Sequence, residues 1–341
     1  MQRFTCECGN VLFFGSSRCL KCSSDVGYDP QRGAMQRVRP DSTMKRCQNG
    51  VKHNVCNWLL PASATAVLCV ACRMNRTIPD LSADRNRILW ARMEMAKRRL
   101  IYTLLRLGIG LPSKKDDPKN GLAFDIVSTL SNPAVTTGHL NGVITVNLEE
   151  ADDTYRQFNR QQLGESSRTL LGHFRHESAH YLWQRNLSEL AWDDPLRLAF
   201  RERFGDEWID YAAALGTYYQ NGAPGDWGLN YITAYASSHP WEDWAETWAH
   251  YLQILDGLET CESLGIQVQN IAGAGGTSGS GAMPTRTRRG GPSIDSSTNR
   301  RTGSGAVIHA RLHLPRGGFT LDLQWAGGRV RQLSLQGPPG A

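Results

Sequence analysis

The 341-residue chain has no window near the ~18 uncharged apolar residues that a membrane helix needs, which excludes a helical bilayer span. Met1 to Asn10 hold Cys6, Glu7 and Cys8 where a secretory leader would carry a basic start and an apolar run, so the expected location is the cytoplasm. Cysteine nearly vanishes after residue 72: eight of the nine fall before residue 73, and Cys261 stands alone with no role. In a reducing compartment such a cluster binds metal more often than it forms disulfides. Apolar residues are almost missing between Gly265 and Ala306, a Gly-, Ser-, Thr- and Arg-rich stretch that cannot offset the entropy of ordering, so disorder is expected there. No aromatic-basic interleaving of the kind an RNA-binding motif carries is present.

The chain exceeds the usual single-domain length of ~100 to 200 residues, so two or more units are expected. Its 40% apolar content and ten Trp are enough for a core. The net charge of +6 conceals an asymmetry. Residues 1–115 hold 20 Lys and Arg against 7 Asp and Glu, residues 116–261 hold 9 against 22, and residues 262–341 hold 9 against 3. Segments of opposite charge are expected to face different partners, and the basic N-terminal unit to offer a surface to protein or nucleic acid.

Residues 1–80 are Cys-punctuated and poor in helical periodicity, which suits metal-held loops and hairpins. From Ser82 to Leu107 the residues Ile88, Leu89, Met93, Ala96, Leu100, Leu104 and Leu107 fall near helical spacing among many Arg, predicting a long basic amphipathic helix that ends at Gly108 and Gly110. Val143 to Leu148 alternates after the turn pair Asn141-Gly142, which predicts a strand at a sheet edge or in a hairpin, placed to align substrate by β-augmentation. Helical spacing returns over Arg168 to Arg185, Pro195 to Tyr219 and Trp241 to Leu258, with Gly222 to Asn230 read as a loop. Ala306 to Gln336 alternates around Gly327-Gly328 as a hairpin does.

Two cysteine sets carry metal-ligand spacing. Cys6, Cys8, Cys19 and Cys22 form one, and Cys47, Cys56, Cys69 and Cys72 the other; each ends in a CxxC that places two thiolates on one tetrahedral zinc. Four thiolates leave no position for water, so both zinc sites are structural. Free buried cysteines and redox-active CxxC pairs are the weaker readings. His53 lies between Cys47 and Cys56 and reads as a solvated loop histidine.

His176-Glu177-Ser178-Ala179-His180 sits in an apolar-periodic stretch, and the i, i+4 spacing turns both imidazoles to one side of a helix where they can share a zinc. Glu177 between them is placed to polarise water as general base. A third protein ligand is required. The metzincin extension fails, because Asn186 stands where its third His would be. A carboxylate from the segment His239 to His250 is then needed, and spacing alone allows either Glu242 or Glu246. These like charges one turn apart repel unless a cation resolves them, one ligating zinc and the other bonding a ligand histidine. Solvated helix carboxylates are the bland alternative, and His173 and His250 read as structural histidines.

At these residues the sequence resembles the bacterial zinc metallopeptidases that carry an N-terminal zinc ribbon. The resemblance runs from Cys6 to Leu258 and rests on the two four-Cys sets, Cys69 to Asp80, Gly138-His139, Asn147-Leu148, Gly172 to Glu177, and His239 to Glu246. The last motif is similar to the Glu-x-x-Ala-Glu helix of lethal-factor-like zincins. That similarity implies Glu242 as the zinc ligand, Glu246 as the support of a ligand histidine, and Tyr235 as the oxyanion donor. Ala179 departs from the Gly usual before the second His, and no family continuation is recognised after Leu258.

The expected architecture is α+β: a double zinc-ribbon unit over 1–80, a basic linker helix over 81–110, and a zincin-like, gluzincin-type, mostly helical metallopeptidase domain with a small sheet over 111–261. A disordered linker over 262–305 and a β-hairpin appendage over 306–341 follow. The expected cofactors are one catalytic and two structural zinc ions, the expected substrate a peptide or protein, and no membrane is involved. The rival function is a zinc-ribbon binding module for nucleic acid or protein with an inactive zincin-like domain.

Overall fold

Segments too short and too often interrupted to bury a helical face fold at the N-terminus as three antiparallel hairpins. Phe4–Thr5 pairs with Val11–Leu12, Val26–Asp29 with Ala34–Arg37, and Met44–Arg46 with Leu59–Pro61. The structure is a computed structural model and describes residues 2–162 and 169–264 together with the strands Ile308–Leu314, Phe319–Ala326 and Arg329–Gln336. Most of the stretch expected to be disordered, and the side chain of Cys261, lie outside the described residues. The expected terminal hairpin is a three-stranded antiparallel sheet, because Ile308–Leu314 pairs along Phe319–Ala326 as a further strand.

The end of the N-terminal segment shares a sheet with the residues that follow. Asn75–Thr77 pairs in parallel with Ala123–Val127 and so forms one edge of a four-stranded sheet. Val143–Asn147 follows in parallel to Ala123–Val127, and Gly138–Leu140 closes the other edge antiparallel to it. The strand expected at an edge is therefore interior, and both of its sides are paired; the hairpin reading was the right one. Asn141-Gly142 makes the turn, with positive φ at both residues as a type I′ connection requires. A Cβ at Gly142 would stand 2.5 Å from the Gly121 carbonyl oxygen.

The helix Asp84–Arg106 runs through the centre rather than along a surface. Leu89, Trp90, Met93, Ala96, Leu100, Ile101 and Leu104 are buried, whereas Ile88 is exposed. Its basic character is partly internal: Lys97 is fully buried against Glu94 at 2.7 Å, and Arg98 donates to the carbonyl of Val55 in the ribbon. Tyr102 completes an aromatic cluster with Phe14 and Tyr28, so the helix supplies part of the ribbon's core. Its other contacts reach the helix Pro240–Ser263, where Tyr102 Oη donates to Glu259 at 2.5 Å and Thr103 Oγ1 to Asp256 at 3.1 Å.

The opposite charges of the two segments meet in ion pairs between them. Arg73 pairs with Asp116, Arg76 with Asp125, Arg85 with Asp152, Arg92 with Asp153 and Arg106 with Glu259. Exposed pairs of this kind contribute only about 0 to 1 kcal/mol each. Their consequence is orientation: they link residues from the two parts that composition alone separated.

The stretch Pro195 to Tyr219 is two helices, Pro195–Phe204 and Tyr211–Asn221, because Gly205 turns the chain at φ +98°. Asp194 and Asp210 cap them, each accepting a backbone N–H of the first turn. Within the expected loop after Gly222, Trp227–Asn230 forms one helical turn. Glu207 in the break is buried and accepts from Arg197 Nε at 2.6 Å and Arg201 Nε at 2.9 Å. Burial opposes its ionisation, yet the two guanidiniums hold the carboxyl below its ordinary 4.5. A depressed folded pKa contributes stability above 4.5 that is lost as pH falls through the lower folded value. Thermal melts of the protein should show this acid loss, and Glu207→Gln should flatten it; an unchanged acid slope in the variant would refute the assignment. Among the described residues no helix is long and apolar enough to cross a membrane.

Candidate metal centre

The sulfurs of each cysteine set converge. Cys6 and Cys22 lie 3.8 Å apart and Cys8 and Cys19 3.6 Å, while Cys56 and Cys69 in the second set lie 3.7 Å apart. Four thiolates at ~2.3 Å on a tetrahedral zinc give sulfur–sulfur edges of roughly 3.8 Å, so both sets have the dimensions of a closed zinc site. The two sets do not mix, and His53 joins neither, its ring lying instead beside Trp90 at 5.6 Å. Ser24 lies 3.4 Å from the Cys22 sulfur and its hydroxyl and amide bring that thiol down to about 6, toward the thiolate that binds metal.

The third cluster is built by two crossing helices. Leu170–Leu187 starts at Thr169, whose Oγ1 accepts from Gly172 N at 3.0 Å, and buries Phe174, Ala179, Tyr181 and Leu182. Pro240–Ser263 starts on Pro240 and buries Trp244, Ala245, Trp248 and Leu252. The helices are locked by indole hydrogen bonds, Trp244 Nε1 to the Ala179 carbonyl at 2.9 Å and Trp248 Nε1 to Ser178 Oγ at 3.1 Å. This close crossing is what the small residues Ser178 and Ala179 permit.

At the crossing, His176, His180 and Glu242 bring one donor atom each within 4.8 Å of the others. The two Nε2 atoms lie 3.2 Å apart; Glu242 Oε2 is 3.0 Å from His176 Nε2, and Oε1 is 3.5 Å from His180 Nε2. Nitrogen and oxygen ligands at ~2.0 to 2.1 Å on a tetrahedral zinc stand roughly 3.3 Å apart, close to the 3.2 Å between the two Nε2 atoms and the 3.0 Å from Oε2 to His176. Glu242 is 1% exposed, and its Oε2 has no hydrogen-bond partner. A buried carboxylate that faces two imidazole nitrogens and keeps one oxygen without a donor is the arrangement a divalent cation satisfies.

Glu246 lies one turn further and bonds the outer nitrogen of His176, Nδ1 to Oε1 at 2.8 Å. Burial disfavours a charged His176, but Glu242 and Glu246 together push its pKa well above the ordinary value. The site therefore attracts positive charge strongly. Glu177 is buried, and burial raises its carboxyl above 4.5 although both histidines pull it down. Tyr235 stands beside the site with its ring 6.1 Å from that of His176.

Other residues singled out by sequence fall outside the ligand cluster. His173 Nδ1 lies 3.6 Å from Glu150, and His250 Nδ1 donates to the Glu246 carbonyl in its own helix at 2.8 Å. His139 accepts the Gly142 amide on Nε2 at 3.1 Å, and burial with His180 and Lys114 nearby holds its pKa down to about 3, so the ring is neutral. Gln184, one turn after His180, accepts the same amide at 3.1 Å and ties the hairpin to this helix. Sequence reading missed Tyr211, whose hydroxyl donates to Glu242 Oε1 at 2.8 Å. Nothing local marks it: the rest of its own helix, the turn Trp227–Asn230 and the turn Tyr235–Ser238 separate it from Glu242.

Two tetrathiolate clusters beside a two-histidine, one-carboxylate cluster define a zinc-ribbon metalloprotein. The chain belongs to the family described as "putative zinc-binding metallo-peptidase", whose model matches residues 86–300, and a zinc-ribbon domain model matches residues 3–83. It is 40% identical over 267 residues to uncharacterized proteins of Mycobacterium bovis and of two strains of Mycobacterium tuberculosis, with 78% of this chain and 77% of each relative covered. No solved structure matches.

Proposed function

We propose that the chain is a zinc-dependent peptidase that hydrolyses peptide bonds at the His176, His180 and Glu242 site, with two further zinc ions held by the cysteine sets. The observation that carries this reading is the convergence of two imidazole nitrogens on the buried carboxylate of Glu242, whose Oε2 has no hydrogen-bond partner. A zinc ion there supplies Lewis acidity to a substrate carbonyl and acidifies water. Glu177, next to His176 on the same helix, takes the proton of the attacking water and passes it to the leaving amine. Glu246 holds the His176 Nδ1 proton and so leaves Nε2 free to face the site. Tyr235, whose ring lies beside that of His176, is the residue assigned to donate to the developing oxyanion.

Substrate alignment belongs to Gly138–Leu140, the edge strand, rather than to the interior Val143–Asn147. Leu140 is exposed, and the hairpin is tied to Gln184 on the helix that carries both histidines. An extended peptide adding to this edge satisfies its free backbone groups.

The test is a metal count on purified protein. Three zinc per chain are expected, falling to two in Glu242→Ala, whereas Glu246→Ala should keep the third ion with affinity weakened about 10- to 100-fold. Retention of all three zinc ions by Glu242→Ala would remove that residue from the ligand set.

A further inference from the structure

Glu242 has two oxygens and the structure treats them differently. Oε2 is buried without a hydrogen-bond partner and lies 3.0 Å from His176 Nε2, while Oε1 accepts the hydroxyl of Tyr211 at 2.8 Å and stands further off, 3.5 Å from His180 Nε2. We propose that Tyr211 is the positioning residue of the third metal ligand, occupying Oε1 so that Glu242 offers the metal Oε2 alone. The proposal rests on the zinc-site reading above and concerns how one of its ligands is held.

The tyrosine is itself fixed from the ligand's own helix. His239 immediately precedes the helix Pro240–Ser263 and is 3% exposed. Its Nδ1 accepts the Trp241 amide at 3.1 Å, which leaves Nε2–H to donate to the Ile209 carbonyl at 3.0 Å. Two residues beyond Ile209, the Tyr211 ring lies edge-on to His239 at 5.1 Å and 5.7 Å from Trp241. The segment before the helix Tyr211–Asn221 is thus clamped to the start of the helix that carries Glu242. The clamp is local, because no residue of Tyr211–Asn221 is buried.

A carboxylate with both oxygens free can chelate a cation through two atoms, crowding the coordination sphere. One whose second oxygen accepts a short hydrogen bond binds through one atom and leaves a position open for water and substrate. Tyr211 acts through Glu242 and does not need to touch the substrate to do so.

Tyr211→Phe removes one oxygen atom from a residue 37% exposed on a helix with no buried side chain, so the fold is expected to survive. Zinc affinity of the third site is read by competition with a chromophoric chelator. Coordination geometry is read from the visible bands of Co2+ added in place of zinc, as a difference spectrum against Glu242→Ala. Tyr211→Phe should bind zinc about 10- to 100-fold more weakly than wild type. Its Co2+ bands should weaken toward the pattern of a higher coordination number. Tyr235→Phe, which removes a hydroxyl near the site that is not bonded to Glu242, should leave both readouts as in wild type. Affinity and spectrum unchanged in Tyr211→Phe, with a third zinc present in wild type, overturn the positioning role alone. Absence of a third zinc in wild type overturns the site reading and this proposal together.

Discussion

Glu177→Gln is expected to abolish peptide hydrolysis while leaving three zinc ions per chain. The residue lies between the two histidines on one helix turn, is buried, and is not among the three side chains that converge as ligands. Its role is to accept a proton, and an amide cannot. Loss of a positioned general base costs about two to four orders of magnitude in rate. The shape of the side chain is kept, so the helix crossing and the metal should be undisturbed. Turnover of a quenched fluorescent peptide library beside a metal count decides the matter. Loss of zinc with activity would make Glu177 a ligand or a folding residue, and full activity would end the mechanism.

The second large effect is on stability. Lys97 and Glu94 are both fully buried in the central helix, and Glu94 also accepts from Asn75 Nδ2 at 2.8 Å and Trp90 Nε1 at 3.2 Å. Lys97 in turn donates to Asn75 Oδ1, and Glu94 lies 3.8 Å from the Cys72 sulfur. Lys97→Met leaves a buried carboxylate beside a thiolate cluster with no cation to balance it. Breaking a buried pair on one side costs about 3 to 5 kcal/mol, a large share of the ~5 to 15 kcal/mol that holds a typical domain together. Urea unfolding should show this loss, and the double change Glu94→Leu with Lys97→Met should recover part of it, because two apolar residues leave no uncompensated charge. A single variant as stable as wild type would show that the pair carries no such burden.

Much of the metal chemistry could be read from residue spacing. A CxxC brings two thiolates to one metal whatever surrounds it, and an i, i+4 pair of histidines shares a helix face whatever the helix packs against. The partition of eight cysteines into two sets of four, and the pairing of His176 with His180, follow from these local rules. The twofold choice between Glu242 and Glu246 did not follow from spacing. Both face one side of a helix, and which carboxylate meets Nε2 rather than Nδ1 of His176 depends on where two helices cross. Trp244 and Trp248 set that crossing through hydrogen bonds to Ala179 and Ser178.

The sequence by itself determined the local facts: α+β class, cysteine sets, the His-Glu-x-x-His helix, the Asn-Gly turn and the paired strand that follows it. Each depends on neighbours within a few residues, where backbone geometry fixes what side chains can share. Tertiary structure alone decided the rest. Lys97 looks like one more surface cation in a basic helix until Glu94 and the ribbon close over it. Val143–Asn147 looks like an edge until Ala123–Val127 pairs with its other side. Tyr211 carries no signal until His239 draws its segment against the helix of Glu242, because a hydrogen bond between residues 31 apart is set by packing and leaves no period in the chain.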